Sequence, residues 1–504
     1  MGKDIEAINP ATGEKIRTYE TATDKQISST FSKARDAFKQ WKDLSIDKRC
    51  GYLRNLRKEI VERKEELVEA IKLDTGKPDV EVLMSDVLAT LTMIKYYEEN
   101  TEKILKTEKR KTPLEYPKHS SYVDYIPMGV VAMISPWNYP FQLSVVPAIT
   151  ALAAGNTVVL KPSEITPITG EKIEEFFTKA GFPDGVFQVL QGGGRVGEKM
   201  IEEGPDKVFF TGGIETGKKM MEKASDHLIP VELELGGNDA MIVFEDADID
   251  RAVKGAVYGS LANAGQLCVA IERIYVQESI EKEFIQKVLE EINKIDIGTE
   301  RDVEMGPMIL EKQIEVVKDH VDDALEKGAD LLTEMRSEDN FLHPIVLSQV
   351  THDMKIMQEE TFGPTVPIMS FKSEEEAVKL ANDTQYGLNA SVWTQNKRKA
   401  KRVVSKLETG NCYVNDAVKN VGSPYLPFGG VKNSGIGRYH GPEGLRSFTE
   451  TRSVMINKNE GDELNWFPYH KELYDDIGDL IDAKHGDIGL LKKVKTFFRL
   501  WRKM

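Results

Sequence analysis

Three cysteines occur in 504 residues, at positions 50, 268 and 412. Cys268 is set apart by its surroundings. The stretch NAGQLCVA (263–270) places it among small and polar residues, not in a tight apolar cluster. A thiolate is the best nucleophile available near neutral pH, so one chemistry open to Cys268 is covalent attack on an electrophilic carbon. The other reading is a small buried thiol that follows a glycine. Cys50 sits in a charged helical stretch and Cys412 in TGNCYVN, a strand-like one. The spacing of the three fits neither a disulfide framework nor a metal site.

Glycine-rich turns offer a second chemistry, the binding of phosphate. VFQVLQGGGRVGEKM holds Gly192, Gly194 and Gly197 in the pattern G-x-G-x-x-G, after a strand and before a helix. That is the context of a dinucleotide fingerprint. Yet the next strand, KVFF, ends at Thr211 with no acid to hold an adenosine ribose, so a tight loop is the better reading. The stronger phosphate candidate is FFTGGIETGKKM, where a strand runs into Gly212 and Gly213 and a helix begins near Glu215. Backbone N–H groups at a helix start attract anionic oxygens, and glycine lets a ligand approach. VVLKPSE puts Lys161 and Glu164 just past the carboxyl end of a strand, where ligands bind in open α/β sheets. Such a pair can hold ribose hydroxyls. Taken singly, it can equally be a solvated charge pair.

These residues need a scaffold. Apolar runs at 129–134, 156–162, 186–190 and 207–213 read as short buried strands, with helical stretches such as TGEKIEEFFTKAG between them. The alternation predicts a parallel sheet with helices on its faces. It recurs at 273–279, 364–371 and 389–395, which predicts a second α/β domain. From Lys48 to Lys72, Leu53, Leu56, Ile60, Leu67 and Ile71 recur at helical spacing and predict a helix that stops at TGKP. A net charge of −15 argues against nucleic acid as a partner. The sparse cysteines suit a reducing cytoplasmic compartment. The N-terminus MGKDIEAINP lacks an apolar signal core, and no apolar run is long enough to span a membrane.

Seven segments in order carry a family resemblance: PWNYP (136–140), KPSE (161–164), FTGGIETG (210–217), LELGG (233–237), GQLC (265–268), EETFGP (359–364) and PFGGVKNSG (427–435). Over residues 5 to 457 the chain resembles the aldehyde dehydrogenase superfamily. The resemblance implies a Rossmann-like parallel-sheet cofactor domain (1–107 and 127–236) and a second α/β catalytic domain (237–437). It further implies a small β oligomerisation element (108–126 and 438–457), and hence a homo-dimer or tetramer. Residues 458–504 remain as a C-terminal extension. In this superfamily the cofactor sits on its sheet without the usual G-x-G-x-x-G turn, which agrees with reading that pattern as a loop.

The resemblance implies oxidation of a small-molecule aldehyde to an acid. Cys268 would form a thiohemiacetal, with Asn138 and the Cys268 backbone N–H donating to the oxyanion. Loss of one such donor costs about 3–4 kcal/mol of barrier. Hydride then leaves for the cofactor, and Glu234 activates the water that hydrolyses the thioester. The cofactor positions carried over are Ser135, Trp137, Lys161, Glu164, Gly197, Gly212, Gly213, Gly217, Leu235, Glu360 and Phe362, with Glu360 on the nicotinamide ribose. Glu164 would repel a 2′-phosphate, which favours NAD, with NADP as the alternative. Two positions depart from the usual pattern. Gly213 stands where many members carry Ser, and Tyr439 where many carry an acid.

PWNYPFQL and GIGRYHG resemble the class 3 and fatty-aldehyde branch, whereas INPATGEKI resembles the succinate-semialdehyde and betaine-aldehyde branch. Succinate-semialdehyde members often carry Arg where this chain has Val146, flanked by Val145 and Pro147. An uncharged wall suits an alkyl chain. The expected substrate is therefore a medium- or long-chain aliphatic aldehyde, with succinate semialdehyde second. A catalytically silent binding or structural homologue is the alternative from another class. In the tail DIGLLKKVKTFFRLWRKM, Leu490, Leu491, Val494, Phe497, Phe498 and Trp501 share one helical arc. Lys492, Lys493, Lys495, Arg499, Arg502 and Lys503 lie outside it. Such a helix over 485–504 predicts peripheral contact with the inner face of a membrane, or packing on the protein's own surface.

Overall fold

A computed structural model describes residues 4–113, 116, 118–461, 463, 465–487 and 489–501. They fall into two compact units, 1–104 with 127–449, and 105–126 with 450–504. The larger unit is an α/β fold built on two sheets.

The first sheet has six strands, in the order Gly435–Ile436, Val231–Glu234, Lys207–Thr211, Val130–Ile134, Thr157–Lys161, Phe187–Val189. All neighbours are parallel except the first pair. Val130–Ile134 and Thr157–Lys161 are buried at every position, as strands covered on both faces must be. The chain winds outward from Val130–Ile134 in one direction, then returns to its other side at Lys207–Thr211. Strand order therefore reverses between these two strands, and their carboxyl ends open the crevice where ligands bind in such sheets.

The second sheet has seven strands, in the order Asp330–Leu331, Ile345–Ser348, Thr365–Phe371, Ile271–Gln277, Asp239–Val243, Asn389–Trp393, Asn411–Val414. It is parallel apart from its first pair. Only Leu235–Asn238 separates the carboxyl end of a first-sheet strand, at Glu234, from the start of an interior second-sheet strand, at Asp239. A connection so short brings the carboxyl edge of one sheet to the amino edge of the other.

The helix expected over Lys48–Lys72 is two helices, Ile46–Glu62 and Lys64–Thr75. Arg63 breaks the run at φ −118° and ψ 26°. Its guanidinium is turned to Glu66 and Glu175, and the apolar spacing continues across the break because both helices bury the same side. The second helix ends as expected at Gly76, in a left-handed conformation with φ 66°.

The smaller unit holds a three-stranded sheet in the order Thr449–Asn457, His119–Pro127, Glu108–Arg110. Residues 438–449, expected with this element, lie in the larger unit, where Gly441–Ser447 is a helix. The helix expected over 485–504 is Leu490–Trp501, and a helix that was not expected, Leu473–His485, precedes it in the tail. They pack on each other, and Arg499 pairs with Asp479 and Asp476 across them. Leu490, Leu491, Val494 and Phe498 are exposed. The side chains of Lys492, Phe497 and Trp501, and all of Arg502 and Lys503, lie outside the described residues. Among the described residues, no helix is long and apolar enough to cross a membrane.

Candidate active site between two sheets

The crevice at the strand-order reversal is a cavity of about 330 Å³ lined by Pro136, Trp137 and Asn138 after one strand and Gly212 and Gly213 after the other. Glu234, Leu235, Cys268, Glu360 and Phe362 complete its walls. A second cavity, of about 420 Å³, shares Glu234, Leu235, Leu143, Thr211 and Cys268 with the first. Its other walls are mostly apolar, among them Leu267, Leu388, Val418 and Phe428. Cys268 and Glu234 thus stand between a polar crevice and an apolar chamber.

The backbone before Cys268 is unusual. Asn263, Ala264 and Gly265 all have positive φ, at 53°, 54° and 74°. A Cβ on residue 265 would lie 2.1 Å from the Gly363 carbonyl, so only glycine allows this approach. The turn is held by Gln266, whose amide donates to the Asn263 carbonyl at 2.9 Å and accepts from the Ile309 N–H at 2.8 Å. Asn138 is buried, and its Nδ2 donates to the Gln266 carbonyl at 3.1 Å. Its own carbonyl accepts from Asn263 Nδ2 at 3.1 Å. These bonds bring Asn138 to the turn that carries Cys268.

The Asn138 loop is anchored from below. Asp86 is fully buried, pairs with Lys77 at 3.0 Å, and accepts from the N–H groups of Phe141 and Gln142 at 3.2 Å each. A carboxylate at the start of the helix Gln142–Ala154 satisfies orphan donors and suits the helix dipole. Val145, Val146 and Pro147 are buried within that helix and do not line the apolar chamber, contrary to the wall expected of them. Its contribution to the chamber is Gln142 and Leu143, from the first turn. The apolar character comes from other elements instead.

Glu232 and Glu234 are not exposed on an edge strand. Their strand lies between Lys207–Thr211 and Gly435–Ile436, and both side chains are buried. Glu232 is neutralised by Lys207 at 2.6 Å. Both carboxylate oxygens of Glu234 lack a hydrogen-bond partner. Burial raises the Glu234 pKa well above the carboxylate range; Glu232 adds to the rise and Arg438 opposes it. A buried acid with no internal partner is available to a reacting molecule. Burial also pushes the Cys268 thiol up, helped by Glu360, Asp239 and Glu234. Glu234 and Asp239 are themselves raised towards neutrality, which weakens that repulsion, and the Cys268 backbone N–H favours the thiolate.

Glu360 presses against the turn between the sheets. It accepts from the Gly237 N–H at 3.0 Å, and a Cβ at Gly236 would collide with its carboxylate. Burial raises its pKa to about 7. Its loop is tied down by Glu272, which accepts from Thr361 N–H at 2.9 Å and Phe362 N–H at 2.7 Å. Phe362 is held at φ 51° and meets Trp137 edge to face, with ring centroids 5.5 Å apart.

The remaining expected positions follow the first sheet. Lys161 is buried at the end of its strand and donates to Gly192 O at 2.8 Å, Pro162 O at 2.7 Å and Glu164 at 3.1 Å. Burial lowers its pKa against the pull of Glu164. Gly197 packs close to Ile134 and Lys161, and Gly217 against Leu235. Gly192 and Gly194 form the loop that opens the helix Gly194–Glu202, and the Gly192 carbonyl faces the Lys161 ammonium. Gly213 precedes the helix Ile214–Ser225, and a side chain there would meet open space. Ser135 Oγ is turned inward to the Leu143 carbonyl at 3.3 Å. Tyr439 is buried and lines the apolar chamber. Sequence patterns did not single out Asp86, Asn263, Gln266 or Glu272. Asn263 and Gln266 lie in the stretch that carries Cys268 but their hydrogen-bonding roles do not show in it, and no local motif marks Asp86 or Glu272, whose partners the fold brings together.

A crevice at the carboxyl edge of a parallel sheet, opening beside a cysteine and an unpartnered glutamate, defines an α/β enzyme that brings a nucleotide cofactor to a nucleophile. The chain belongs to the aldehyde dehydrogenase family, whose model matches residues 1–454. It is 42% identical over 491 residues to a 4,4′-diapolycopene aldehyde oxidase of Methylomonas sp, covering 97% of this chain and 93% of that protein. Among solved structures it is similar to betaine aldehyde dehydrogenase from Staphylococcus aureus in complex with NAD+. Identity there is 36%, the TM-score 0.86, and the match covers 92% of this chain and 93% of that one. It is similar also to an E. coli NADP dependent enzyme, with identity 33%, TM-score 0.87, and coverage of 90% and 95%. The chain is an oxidoreductase that acts on aldehydes with NAD(P).

Proposed function

We propose that the chain oxidises medium- or long-chain aldehydes to carboxylic acids through a covalent intermediate on Cys268. The observation that carries this reading is the position of Cys268 and Glu234 on walls common to the polar crevice and the apolar chamber. Cys268 first loses its thiol proton to solvent; the thiolate sulfur then bonds to the carbonyl carbon as the carbonyl π electron pair moves onto oxygen. The second Nδ2 hydrogen of Asn138 and the Cys268 N–H stabilise that oxyanion. NAD(P), held in the crevice, would supply the acceptor for the hydride that leaves the former aldehyde carbon, leaving a thioester on Cys268. Glu234 then takes a proton from water as its oxygen bonds to the acyl carbon; the C–S bond breaks and the acid leaves.

The residues of the crevice fit the cofactor. Lys161 and Glu164 suit the adenosine ribose, the N–H groups after Gly212 and Gly213 suit the pyrophosphate, and Glu360 suits the nicotinamide ribose. Trp137, Leu235 and Phe362 line the crevice, while Ser135, Gly197 and Gly217 pack in the elements behind its lining. An apolar chamber favours an alkyl or polyene chain, in keeping with the similarity to a 4,4′-diapolycopene aldehyde oxidase of Methylomonas sp. For succinate semialdehyde the chamber has Lys419, which already pairs with Asp416 at 3.5 Å, so a carboxylate finds no free cation there.

The six-stranded sheet and its helices serve as the cofactor domain, and the seven-stranded sheet as the catalytic domain. The nine-residue edge strand Thr449–Asn457 supports assembly into a homo-dimer or tetramer, because an open edge can pair with a second chain. The exposed apolar residues of Leu490–Trp501, beside Lys493 and Lys495, support contact with an anionic membrane surface. The reading is tested by the appearance of reduced nicotinamide on adding aldehyde, with Cys268→Ala as control. The expected loss in the variant is at least about a thousandfold, with NAD binding retained. Comparable turnover in the variant contradicts the assignment.

A further inference from the structure

Met84, Ser85, Tyr258 and Ala262 line the chamber at Cys268 and also line another cavity, of about 460 Å³. The two cavities therefore adjoin. The outer one has its own apolar walls, with Leu261, Ile295, Val303 and Met305 among them, and contains neither Cys268, Asn138 nor Glu234. The partition is not part of the packed core. Met84 is 49% exposed and Tyr258 is 47% exposed. A methionine side chain rearranges readily around an apolar ligand.

We infer that the outer cavity binds the distal part of the substrate, so that this site takes a long, uncharged aldehyde with its carbonyl at Cys268 and its far end beside Ile295 and Val303. The inference rests on the proposed oxidation of aldehydes. It adds a second binding site beyond the catalytic chamber. Charge at the outer cavity decides the nature of the far end. Glu291, Asp302 and Glu304 outnumber Lys254 and Lys294, and Lys294 already pairs with Glu291 at 2.6 Å, while burial raises the Glu81 pKa to about 7 and takes it out of this count. A chain ending in a carboxylate would meet net negative charge and lose hydration, whereas a neutral end would not. Each methylene carried into the outer cavity contributes roughly fourfold to kcat/KM, up to the limit set by encounter.

The test compares a six-carbon aldehyde, a sixteen-carbon aldehyde and a sixteen-carbon aldehyde with an ω-carboxylate, on the full chain and on Ile295→Trp and Val303→Trp. Both substitutions fill the outer cavity and leave the catalytic residues alone. The sixteen-carbon aldehyde should be the best substrate of the unaltered chain, ahead of its ω-carboxylate. Each variant should lose about tenfold in kcat/KM for it, the binding of roughly two expelled methylenes. The six-carbon aldehyde should stay within about twofold, as expected for a distant change. An equal loss for both chain lengths, or none for either, overturns the outer site. A full chain that oxidises neither neutral aldehyde contradicts the proposed function itself, a separate outcome.

Discussion

The side-chain amide of Asn138 is held 3.1 Å from the carbonyl oxygen of Gln266, two residues before Cys268. One Nδ2 hydrogen is committed to the backbone that carries the cysteine. The other remains for an oxyanion forming at the sulfur. Because the amide is fixed before substrate arrives, no reorganisation is needed at the moment of attack.

Replacing Asn138 by Ala should therefore lower kcat by about a hundred- to a thousandfold. It also removes one of two side-chain hydrogen bonds to the Gln266 carbonyl, the other coming from Asn263 Nδ2 at 3.1 Å. Asn138→Asp keeps much of the shape but removes the donor, so it should be no better than Ala. Activity near that of the unaltered chain in either variant contradicts the assignment.

Glu234 must be deprotonated to accept a proton from water, and its pKa is raised by burial and by Glu232. The base form is thus lost as pH falls, at a pH above the usual carboxylate range. Under conditions where deacylation limits turnover, kcat should rise with pH, with its midpoint above the usual carboxylate range. Glu234→Gln should abolish that rise and leave a single burst of reduced nicotinamide. A pH profile unchanged in the variant identifies another base.

Glu164, paired with the buried Lys161 at 3.1 Å, is 44% exposed at its side chain. It can accept from ribose hydroxyls and repels a 2′-phosphate. NAD should give a higher kcat/KM than NADP, and Glu164→Gln should narrow the ratio by about tenfold, the value of one charge-assisted hydrogen bond. Equal use of the two cofactors by the unaltered chain removes Glu164 from this role.

Each Lys or Arg near an anionic surface contributes roughly 1 kcal/mol, so the basic tail helix should carry the chain onto anionic vesicles at low salt. A chain truncated after Lys484 should stay in the supernatant. If the full chain stays there too, the exposed Leu490, Leu491 and Phe498 serve contacts within the protein's own assembly.

Much of the scaffold was legible because buried parallel strands are short apolar runs, and seven such runs did mark strands of the two sheets. The motifs sit at strand ends: PWNYP and LELGG at the carboxyl ends of first-sheet strands, GQLC and EETFGP just before second-sheet strands. The break at Arg63 was not legible, since both helices bury the same apolar spacing. The misplacement of Val146 has a different cause. Helical periodicity cannot say which turn of a fully buried helix, here Gln142–Ala154, reaches a cavity. Glu272 illustrates the limit most clearly: it holds Thr361 and Phe362 across 89 and 90 residues, and such a pairing leaves no local trace.

The central claim is that Cys268 carries the acyl group. Glu234→Gln, given NAD and an aldehyde and quenched in acid, should accumulate the thioester that it cannot hydrolyse. Mass analysis of the peptide containing Cys268 should then show the added mass of the acyl group, only when NAD and aldehyde are both present. Release of reduced nicotinamide from that variant with Cys268 unmodified at every quench time would contradict the account.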